Sequence, residues 1–256
     1  MNHYEEPLKI AIIATENAAA ISNEFLTDSG IKHSIGKDIK TMADEEMNSA
    51  IVRILESTGI PIISEESDIN DFTTMNKISW IIDPLDGTYN FSRGFKCAGI
   101  SISLIENNSM KLGVVRDIFN NDCYSCIYNH GAYLNNVQIR VSEISQLSNS
   151  ILATGFPSGS NFSTESLLSI VKNIQIFKKI RTIGSASIML SNVANGIFDV
   201  YYEKDIYLWD VAAGLALVEE AGGVYDLRKT EGGLKYEVLA SNKKIFKAAK
   251  TVLFDK

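Results

Sequence analysis

The chain has 256 residues, of which 31 are acidic and 24 basic, so its formal net charge at pH 7 is −7. Proteins that bind duplex nucleic acid normally need a basic face, and this charge balance argues against that class. Hydrophobic residues make up 45% of the chain and charged residues 21%, which is typical of folded globular proteins and excludes the disordered and fibrous classes.

The first half of the chain predicts two helices and then a run of short strands. Apolar residues spaced three and four apart predict a helix over about 7–29, and a second helix is predicted over about 41–57. The segment between them, 29–40, contains two glycines and three lysines, which predicts a loop of the kind that forms a lid. Strands are predicted where β-branched runs are bounded by turn residues, at 60–63, 78–82, 97–106, 110–119 and 123–128. The last three of these strands predict an antiparallel meander.

After about residue 145 the pattern changes to strands that alternate with helices. Strands are predicted at 150–155, 178–183 and 197–202, and helices at about 164–173, 185–195 and 209–221. Such alternation is typical of α/β structure. We therefore predict an α+β lobe over 1–145 and an α/β lobe over 146–256, with one cleft shared between them.

The N-terminal segment and the cysteines indicate a cytoplasmic protein. Glu5 and Glu6 precede any apolar run, so the first residues do not resemble a secretory signal. No apolar stretch approaches the roughly 20 residues that a membrane span needs. Three cysteines, an odd number, predict no disulfide framework. We expect a cytoplasmic enzyme or binding protein with neither a nucleic acid nor a membrane as its partner.

The most informative motif is WIIDPLDGT at 80–88, in which an apolar strand leads directly into two aspartates. Because Pro84 cannot continue a central strand, we predict that the chain leaves the sheet there. Asp83 and Asp86 would then lie at the carboxyl end of the strand, where open α/β sheets bind ligands. Residues 87–88 would begin a short helix whose free N–H groups face an anion.

Two further acidic groups lie at the ends of predicted elements. Glu65 and Glu66 follow the strand at 60–63, and Asp210 lies at the start of the helix at 209–221. Each of these groups alone is commonly a helix cap, a turn residue or a solvated charge. Three acidic groups at element ends, however, form the pattern expected of ligands for a hard cation.

Together these motifs resemble the inositol monophosphatase family of lithium-sensitive, magnesium-dependent phosphatases. The resemblance covers nearly the whole chain and rests on five stretches, at 38–44, 64–67, 80–88, 183–186 and 201–214. It implies a layered αβαβα sandwich of the sugar-phosphatase type, and a homodimer. Ser64 stands where many members carry glycine, and Tyr89 where the inositol phosphatases often have threonine; neither departure removes a ligand.

The resemblance also implies a role for individual residues. The implied Mg²⁺ ligands are Glu65, Asp83, Asp86, Asp210 and the backbone carbonyl of Leu85. Thr88 and Asp44 would form a dyad that, with Glu65, orients and deprotonates the attacking water. The implied contacts to the substrate come from Asp86, Gly87, Thr88, Gly184, Ser185, Ala186, Glu203 and Asp210, with the amides of Gly87 and Thr88 holding the phosphate.

Charge favours more than one cation in such a site. The four carboxylates carry formally −4 and a phosphate monoester adds about −2, so two Mg²⁺ would leave about −2 and three about zero. Such a site clamps the attacking and leaving oxygens. Because phosphoryl transfer depends mainly on positioning and charge neutralisation, no nucleophilic side chain is needed. We therefore expect direct in-line attack by water, with two or three Mg²⁺ per site.

The substrate is the least determined part of this prediction. A carboxylate at Glu203 favours a small polyol monophosphate such as myo-inositol 1-phosphate, because the resemblance implies that it receives a ring hydroxyl. Lys204 adjoins the site and would meet a second phosphate in the alternative, a 3′(2′),5′-bisphosphate nucleotidase. A phosphatase for histidinol phosphate, for a fructose phosphate or for another sugar phosphate is also open. The non-enzymatic alternative is a regulatory platform that binds other proteins, as in transcription antitermination.

Overall fold

Two large β-sheets alternate with layers of helices in the computed structural model, which describes residues 3–26, 31–35, 38–67, 77–156, 175–230 and 235–254, and positions 163, 164, 168, 171 and 172. The helices within these residues are α1 (Glu5–Ser22), α2 (Met42–Leu55), α3 (Thr88–Ser92), α4 (Ala186–Ala194), α5 (Leu208–Glu220) and α6 (Phe246–Leu253). None of them has the length and apolar character that crossing a membrane requires.

The strands of the described residues form three sheets. The smallest is a two-stranded antiparallel sheet of β1 (Ile31–Ile35) and β2 (Asp38–Thr41). The seven-stranded sheet contains β3 (Ile62–Ser64), β4 (Ile78–Asp86), β5 (Gly99–Glu106), β6 (Ser109–Asp117), β7 (Cys123–Ile127), β8 (Ala132–Leu134) and β9 (Val137–Ile139). The five-stranded sheet contains β10 (Ile151–Thr154), β11 (Lys179–Arg181), β12 (Val200–Tyr207), β13 (Val224–Lys229) and β14 (Lys235–Ser241).

The seven-stranded sheet is buried on both faces. Its strands lie in sequence order, and all neighbours are antiparallel except β3 and β4. Because side chains alternate along a strand, Trp80 and Ile82 pack toward α1 and α2, whereas Ile81 belongs to the core that contains α4 and α5. The free cysteines of β7 divide in the same way, since Cys123 packs on the first face and Cys126 lies in the second core. The two thiols therefore do not converge.

The five-stranded sheet is mixed, with strand order β11-β10-β12-β14-β13. Strand β10 is parallel to both of its neighbours, whereas β14 is antiparallel to β12 and β13. Helices α4 and α5 pack between this sheet and the seven-stranded sheet, and α6 packs on its far face. The layers thus run α1/α2, sheet, α4/α5, sheet, α6, which confirms the αβαβα sandwich.

Most predicted elements are present, with shifted ends. Helix α1 ends at Ser22 and is followed by a 3₁₀ turn at Asn23–Phe25, so the predicted helix over 7–29 was too long. Helix α2 begins after Thr41, whose side chain caps it. The three-stranded meander is confirmed as β5, β6 and β7. Most of the helix predicted over 164–173 lies outside the described residues, and the division into lobes at residue 145 stays a prediction.

Two predictions about the first half were wrong. The segment predicted as a loop contains the antiparallel strands β1 and β2, in keeping with its isoleucines at 31, 35 and 39, which favour strand. Gly30, Gly36 and Lys37 lie outside the described residues, and the lid hypothesis is not tested. The chain also does not leave the sheet at Pro84, because β4 continues to Asp86. The sequence analysis also made no prediction for the three elements after residue 221, which are β13, β14 and α6.

Helix α5 approaches β6 closely at Gly113. A Cβ at this position would lie 2.6 Å from the carbonyl oxygen of Ala213 and 3.1 Å from its Cα. Both are backbone atoms, so neither can rotate away. We expect Gly113→Ala to lower the free energy of unfolding by about 3 kcal/mol, the upper end of what overpacking usually costs.

Denaturant unfolding of the full chain measures this effect, and Gly94→Ala is the matched control. A Cβ at Gly94 meets nothing within 4 Å, but φ is +69°, so its cost is limited to backbone strain of about 1–2 kcal/mol. Equal losses in the two variants would contradict the close approach at Gly113.

Candidate active site

A β-bulge in β4 positions the two aspartates of the WIIDPLDGT motif. Asp83 pairs with Ser101 of β5 and Asp86 with Gly99, and the register shifts between them, so two residues of β4 oppose one of β5. One of those two is Pro84, which has no N–H to donate, and bulges are among the few places where a sheet accepts proline. The bulge therefore turns both aspartates toward the layer between the sheets while the strand continues.

Asp83 lies at the centre of an acidic group formed by residues far apart in the chain. The amide of Glu65 donates to the carbonyl of Ile82 at 3.1 Å, which holds the turn after β3 beside β4. Asp83 is 1% exposed, and burial is the main reason why its pKa is raised well above the usual value. The charges of Glu65, Asp86 and Asp210 raise the pKa of Asp83 further, as does a hydrogen bond with the carboxyl of Glu65.

Asp86 is held by the first turn of α4. Its Oδ2 accepts hydrogen bonds from the hydroxyl of Ser185 at 2.7 Å and from Ser187, whose amide lies at 2.7 Å and hydroxyl at 2.5 Å. The amide of Ala186 lies 3.3 Å from Oδ1. Burial raises the pKa of Asp86, and the bonds from Ser187 and Ser185 oppose that rise. The carboxylate thus joins the bulge of β4 to the N-terminus of α4.

Asp210 occupies the first turn of α5. Its Oδ2 accepts from the amide of Tyr207 at 3.2 Å, as in a helix cap. Burial, followed by the charges of Glu65, Asp86 and Glu203, raises the pKa of Asp210 well above the usual value. The hydroxyl of Ser101, which is paired with Asp83 in the sheet, donates to the carbonyl of the adjacent Trp209 at 3.1 Å. This bond fixes the start of α5 beside β4.

Thr88 at the start of α3 and Asp44 in the first turn of α2 lie within hydrogen-bonding distance, the pairing that the predicted dyad needs. The hydroxyl of Thr88 lies 3.0 Å from Asp44 Oδ1 and 2.9 Å from the carbonyl oxygen of Leu85. Because it carries one proton, it donates to only one of them at a time. Asp44 Oδ2 accepts from the amide of Thr41 at 2.7 Å and from its hydroxyl at 2.5 Å. Burial raises the pKa of Asp44 to about 6.

A cleft of about 290 Å³ opens between these elements. It is lined by Glu65, Asp86, Tyr89, Gly155, Phe156, Gly184, Ser185, Ala186, Met189, Glu203, Ile206, Tyr207 and Asp210. Glu203 is 5% exposed and accepts from the hydroxyl of Tyr201 at 2.6 Å; burial raises its pKa to about 7. Gly155 leaves room for this side chain, since a Cβ there would clash with the carboxylate of Glu203.

Seven of the predicted site residues line this cleft, namely Glu65, Asp86, Gly184, Ser185, Ala186, Glu203 and Asp210. Five others are not in its lining, namely Asp44, Asp83, Leu85, Gly87 and Thr88. The acids are not arranged as a ready-made metal cage. Among the described parts of the chain, no three His, Cys, Asp or Glu side chains form a group that could hold a metal ion. The hydrogen bonds of Asp86 direct its oxygens toward α4, and that of Asp210 toward Tyr207. The donor set nevertheless fits Mg²⁺ in its chemistry, because carboxylate and carbonyl oxygens are the protein ligands that this cation takes.

The model of the inositol monophosphatase family matches residues 4–253. The chain belongs to the inositol monophosphatase family. It is 34% identical to the Nus factor SuhB of Xylella fastidiosa over 84% of this chain and 80% of that protein. It is 31% identical to the inositol-1-monophosphatase of Bacillus subtilis, over 82% of this chain and 81% of that one.

The fold agrees with this family. The inositol monophosphatase of Anabaena superposes with a TM-score of 0.83 and 28% identity, over 99% of this chain and 97% of the other. This member of the inositol monophosphatase family is a phosphoric monoester hydrolase, and metal dependence is characteristic of its family.

Several residues that build the site were not predicted from the sequence. Asn90 is the clearest, because its side-chain amide donates to the carbonyls of Cys97 at 2.9 Å and Ile183 at 2.6 Å. It thereby joins the segment after α3 to the segment before α4. Thr41, which orients Asp44, and Ser187, which donates twice to Asp86, were also missed. Only Thr41 had a signal, since a threonine three residues before an acid is typical of a capping box.

Proposed function

We propose that this family member hydrolyses a small polyol monophosphate, such as myo-inositol 1-phosphate, by in-line attack of water at an Mg²⁺-dependent site. The observation that carries the proposal is the cleft itself, where the buried carboxylate of Glu203 lies with the acidic group around Asp83. Carboxylates can hold both the cations that neutralise a phosphate and, at Glu203, a hydroxyl of the alcohol.

Glu65, Asp83, Asp86, Asp210 and the carbonyl of Leu85 would hold two or three Mg²⁺. When bound, Mg²⁺ supplies the positive charge that admits the phosphate and lowers the pKa of water. The amides of Gly87 and Thr88 would hold the phosphate, with Gly184 and Ser185 lining the cleft beside them. Asp86 and the backbone of Ala186 would complete the contacts to the substrate's hydroxyls.

Thr88 and Asp44 would move the proton. The attacking water would donate to Thr88 Oγ1, whose own proton passes along the 3.0 Å hydrogen bond to Asp44 Oδ1. Glu65, which lines the cleft, would orient the same water. Thr41 keeps Asp44 in place through its two hydrogen bonds, so the acceptor need not reorient during the step.

Phosphate release with Mg²⁺ tests the proposal directly. The panel contains myo-inositol 1-phosphate, adenosine 3′,5′-bisphosphate, fructose 1,6-bisphosphate and histidinol phosphate, each with and without lithium. We expect preference for the inositol ester and inhibition by lithium. Preference for the bisphosphate nucleotide would keep the metal chemistry but contradict the polyol substrate.

Glu203→Gln is expected to change substrate preference. A charged acceptor contributes about 1.5–3 kcal/mol to a hydrogen bond, so the kcat/KM ratio of myo-inositol 1-phosphate to ethyl phosphate should fall about tenfold or more. Glu237→Gln is the matched control, because Glu237 accepts from Tyr202 at 2.7 Å as Glu203 does from Tyr201, but does not line the cleft. An equal fall in both variants would contradict the role of Glu203.

As the pH rises, Glu203→Gln is expected to become more stable relative to the wild type. Burial raises the pKa of Glu203 to about 7, above the ordinary value of 4.5, so its contribution to stability is complete below pH 4.5 and is lost as the pH rises through 7. Glutamine does not ionise. Thermal unfolding should therefore show Glu203→Gln gaining stability relative to the wild type between pH 5 and pH 8; a relative loss over that range would contradict the buried carboxyl.

A second candidate function comes from the relatives named Nus factor SuhB, such as that of Xylella fastidiosa. It is a protein-binding role in transcription antitermination, in addition to hydrolysis. An antitermination reporter in cells that carry either the wild-type chain or an inactive variant separates the two roles. A homodimer in the cytoplasm is proposed with either function, and light scattering measures the oligomeric state.

A further inference from the structure

Two adjacent glutamates follow β3, and their surroundings differ. Glu65 lines the cleft. Glu66 forms an ion pair with the ammonium of Lys40 in β2; its side chain is 9% exposed and its Oε2 is fully buried. A carboxylate taken out of water needs such a partner, because an unpaired buried charge is costly. Lys40 therefore neutralises one glutamate of the pair and leaves the other to the cleft.

The backbone of this turn is fixed by bonds that do not involve Lys40. The hydroxyl of Ser64 donates to Asn48 Oδ1 of α2 at 2.7 Å and accepts from the amide of Glu66 at 3.2 Å. The amide of Ser67 donates to the carbonyl of Ser64 at 3.0 Å. The ion pair thus determines where the side chain of Glu66 lies, and the turn itself does not depend on it.

Glu66 lies beside the proposed cation site. Burial is the main reason why the pKa of Asp44 is raised, and the nearby charge of Glu66 raises it further. The hydroxyl of Thr88 lies between Asp44 and the carbonyl oxygen of Leu85, at 3.0 Å and 2.9 Å. Because that carbonyl is a proposed ligand, a free carboxylate at Glu66 would be near enough to attract a cation away from its place.

Lys40 holds its charge firmly at this junction of β2, α2 and the turn. Its hydrogen bond with Glu66 is the main cause that raises its pKa; burial lowers the pKa, and the charges of Glu66, Glu45 and Asp44 raise it further. The ammonium is therefore protonated at every pH at which a phosphatase of this kind would work.

We propose that Lys40 is a positioning residue that determines which of the two adjacent glutamates serves the cations. By holding Glu66 in an ion pair, it leaves Glu65 as the only carboxylate of the pair that is offered to Mg²⁺. The inference rests on the proposed metal site and deepens it. Without Lys40, Glu66 would compete with Glu65 for the same cation, and the competing arrangement would not orient the attacking water.

Lys40→Met is the test, with Mg²⁺ titrated calorimetrically into the metal-free protein and kcat measured with myo-inositol 1-phosphate. The variant loses one positive charge and frees one carboxylate, so it should bind Mg²⁺ about tenfold more tightly. At saturating Mg²⁺ its kcat should nevertheless fall about tenfold, as expected when a residue that supports a metal ligand is lost. Added Mg²⁺ should not restore kcat, because the competing carboxylate belongs to the same molecule.

Three variants serve as controls. Lys40→Arg keeps the positive charge and should resemble the wild type in both measurements. The double variant Lys40→Met/Glu66→Gln has no free carboxylate, so its Mg²⁺ affinity and kcat should both return toward the wild-type values. Lys244→Met is the matched control for loss of charge, because Lys244 pairs with Glu143 on the surface and neither lines the cleft. It should change neither quantity.

Tighter binding together with slower turnover separates positioning from a merely structural role. If Lys40→Met binds Mg²⁺ more weakly, turns over unchanged or is not restored by Glu66→Gln, the inference is wrong. If the wild type binds Mg²⁺ but releases no phosphate, hydrolysis has failed and the calorimetric comparison alone decides the role of Lys40. If the wild type does not bind Mg²⁺, the metal site and the role of Lys40 are both wrong.

Discussion

Replacing Asp83 with asparagine is expected to reduce Mg²⁺-dependent phosphate release by about 1,000-fold or more. Replacing a residue that only hydrogen-bonds to a metal ligand typically lowers metal affinity or activity by about 10–100-fold. Asp83 is proposed as a ligand itself, so its replacement should cost more. Asparagine has nearly the same shape but carries no charge, so it lowers the affinity of the acidic group for a divalent cation. Calorimetric titration with Mg²⁺ should show weaker binding in the variant, independently of turnover.

Stability distinguishes this effect from misfolding. Burial and the neighbouring acids raise the pKa of Asp83 well above its usual value, so its charged form is costly in the folded protein at neutral pH. Without added cations, Asp83→Asn should therefore unfold at the same temperature as the wild type or a higher one. Buried functional groups often oppose stability in this way.

Asp199→Asn is the control for the Asp83 variant. Asp199 is also buried, at 6% exposed, but its carboxylate accepts from Ser142 at 2.5 Å and from the amide of Ile151 at 2.7 Å. These bonds stabilise the five-stranded sheet, to which Ile151 belongs, so this variant should lose stability and keep its affinity for Mg²⁺. Full activity in Asp83→Asn would contradict the proposed metal site.

The sequence predicts the site better than it predicts the topology. Asp83, Asp86 and Asp210 stand next to apolar runs, and such runs fix where a buried strand or helix begins and ends. Three of the proposed ligands are therefore visible as polar residues at element ends. The order of the five-stranded sheet was less visible in the sequence, because it depends on pairing between strands that are far apart in the chain. Leu152 of β10 pairs with Val200 of β12, and Val200 pairs on its other side with Ser241 of β14.

The missed features depend on tertiary contact rather than on local pattern. Proline argues against a central strand, but the bulge at Pro84 allows β4 to continue on both sides of it. Asn90 and Ser187 are ordinary polar residues in sequence. Asn90 of α3 finds a partner only in the carbonyl of Ile183 before α4, and Ser187 of α4 finds its partner only in Asp86 at the end of β4. Gly155 is needed because Glu203 lies over it, a contact between β10's end and β12 that spacing cannot reveal.

The layer between the sheets explains why the site lies where it does. Helices α4 and α5 both begin at the cleft, and their first turns hold Asp86 and Asp210. Two helix N-termini offset part of the negative charge that the four acids gather there. Because α4 and α5 also pack against both sheets, a shift of either sheet would displace the ligands relative to one another.

Thr88→Val and Asp44→Asn are each expected to lower kcat by about 100-fold or more while KM changes little. Proton transfer by a positioned group typically contributes 100-fold to 10,000-fold, and either change interrupts the path from Thr88 Oγ1 to Asp44 Oδ1. Since the two groups act as one unit, the double variant should be no slower than the slower single variant. Multiplied losses in the double variant would show that Thr88 and Asp44 act independently.

Two further variants separate the proton path from the structural role of Asp44, which also caps α2. Thr88→Ser keeps the hydroxyl and should retain most of the activity. Thr41→Val removes one donor to Asp44 and the cap of α2, so it should lower the free energy of unfolding by about 1 kcal/mol. Because Thr41 does not contact the water, its kcat should fall far less than that of Asp44→Asn. If the losses of kcat in Asp44→Asn and Thr41→Val were equal, capping of α2, and not proton transfer, would be the function of Asp44.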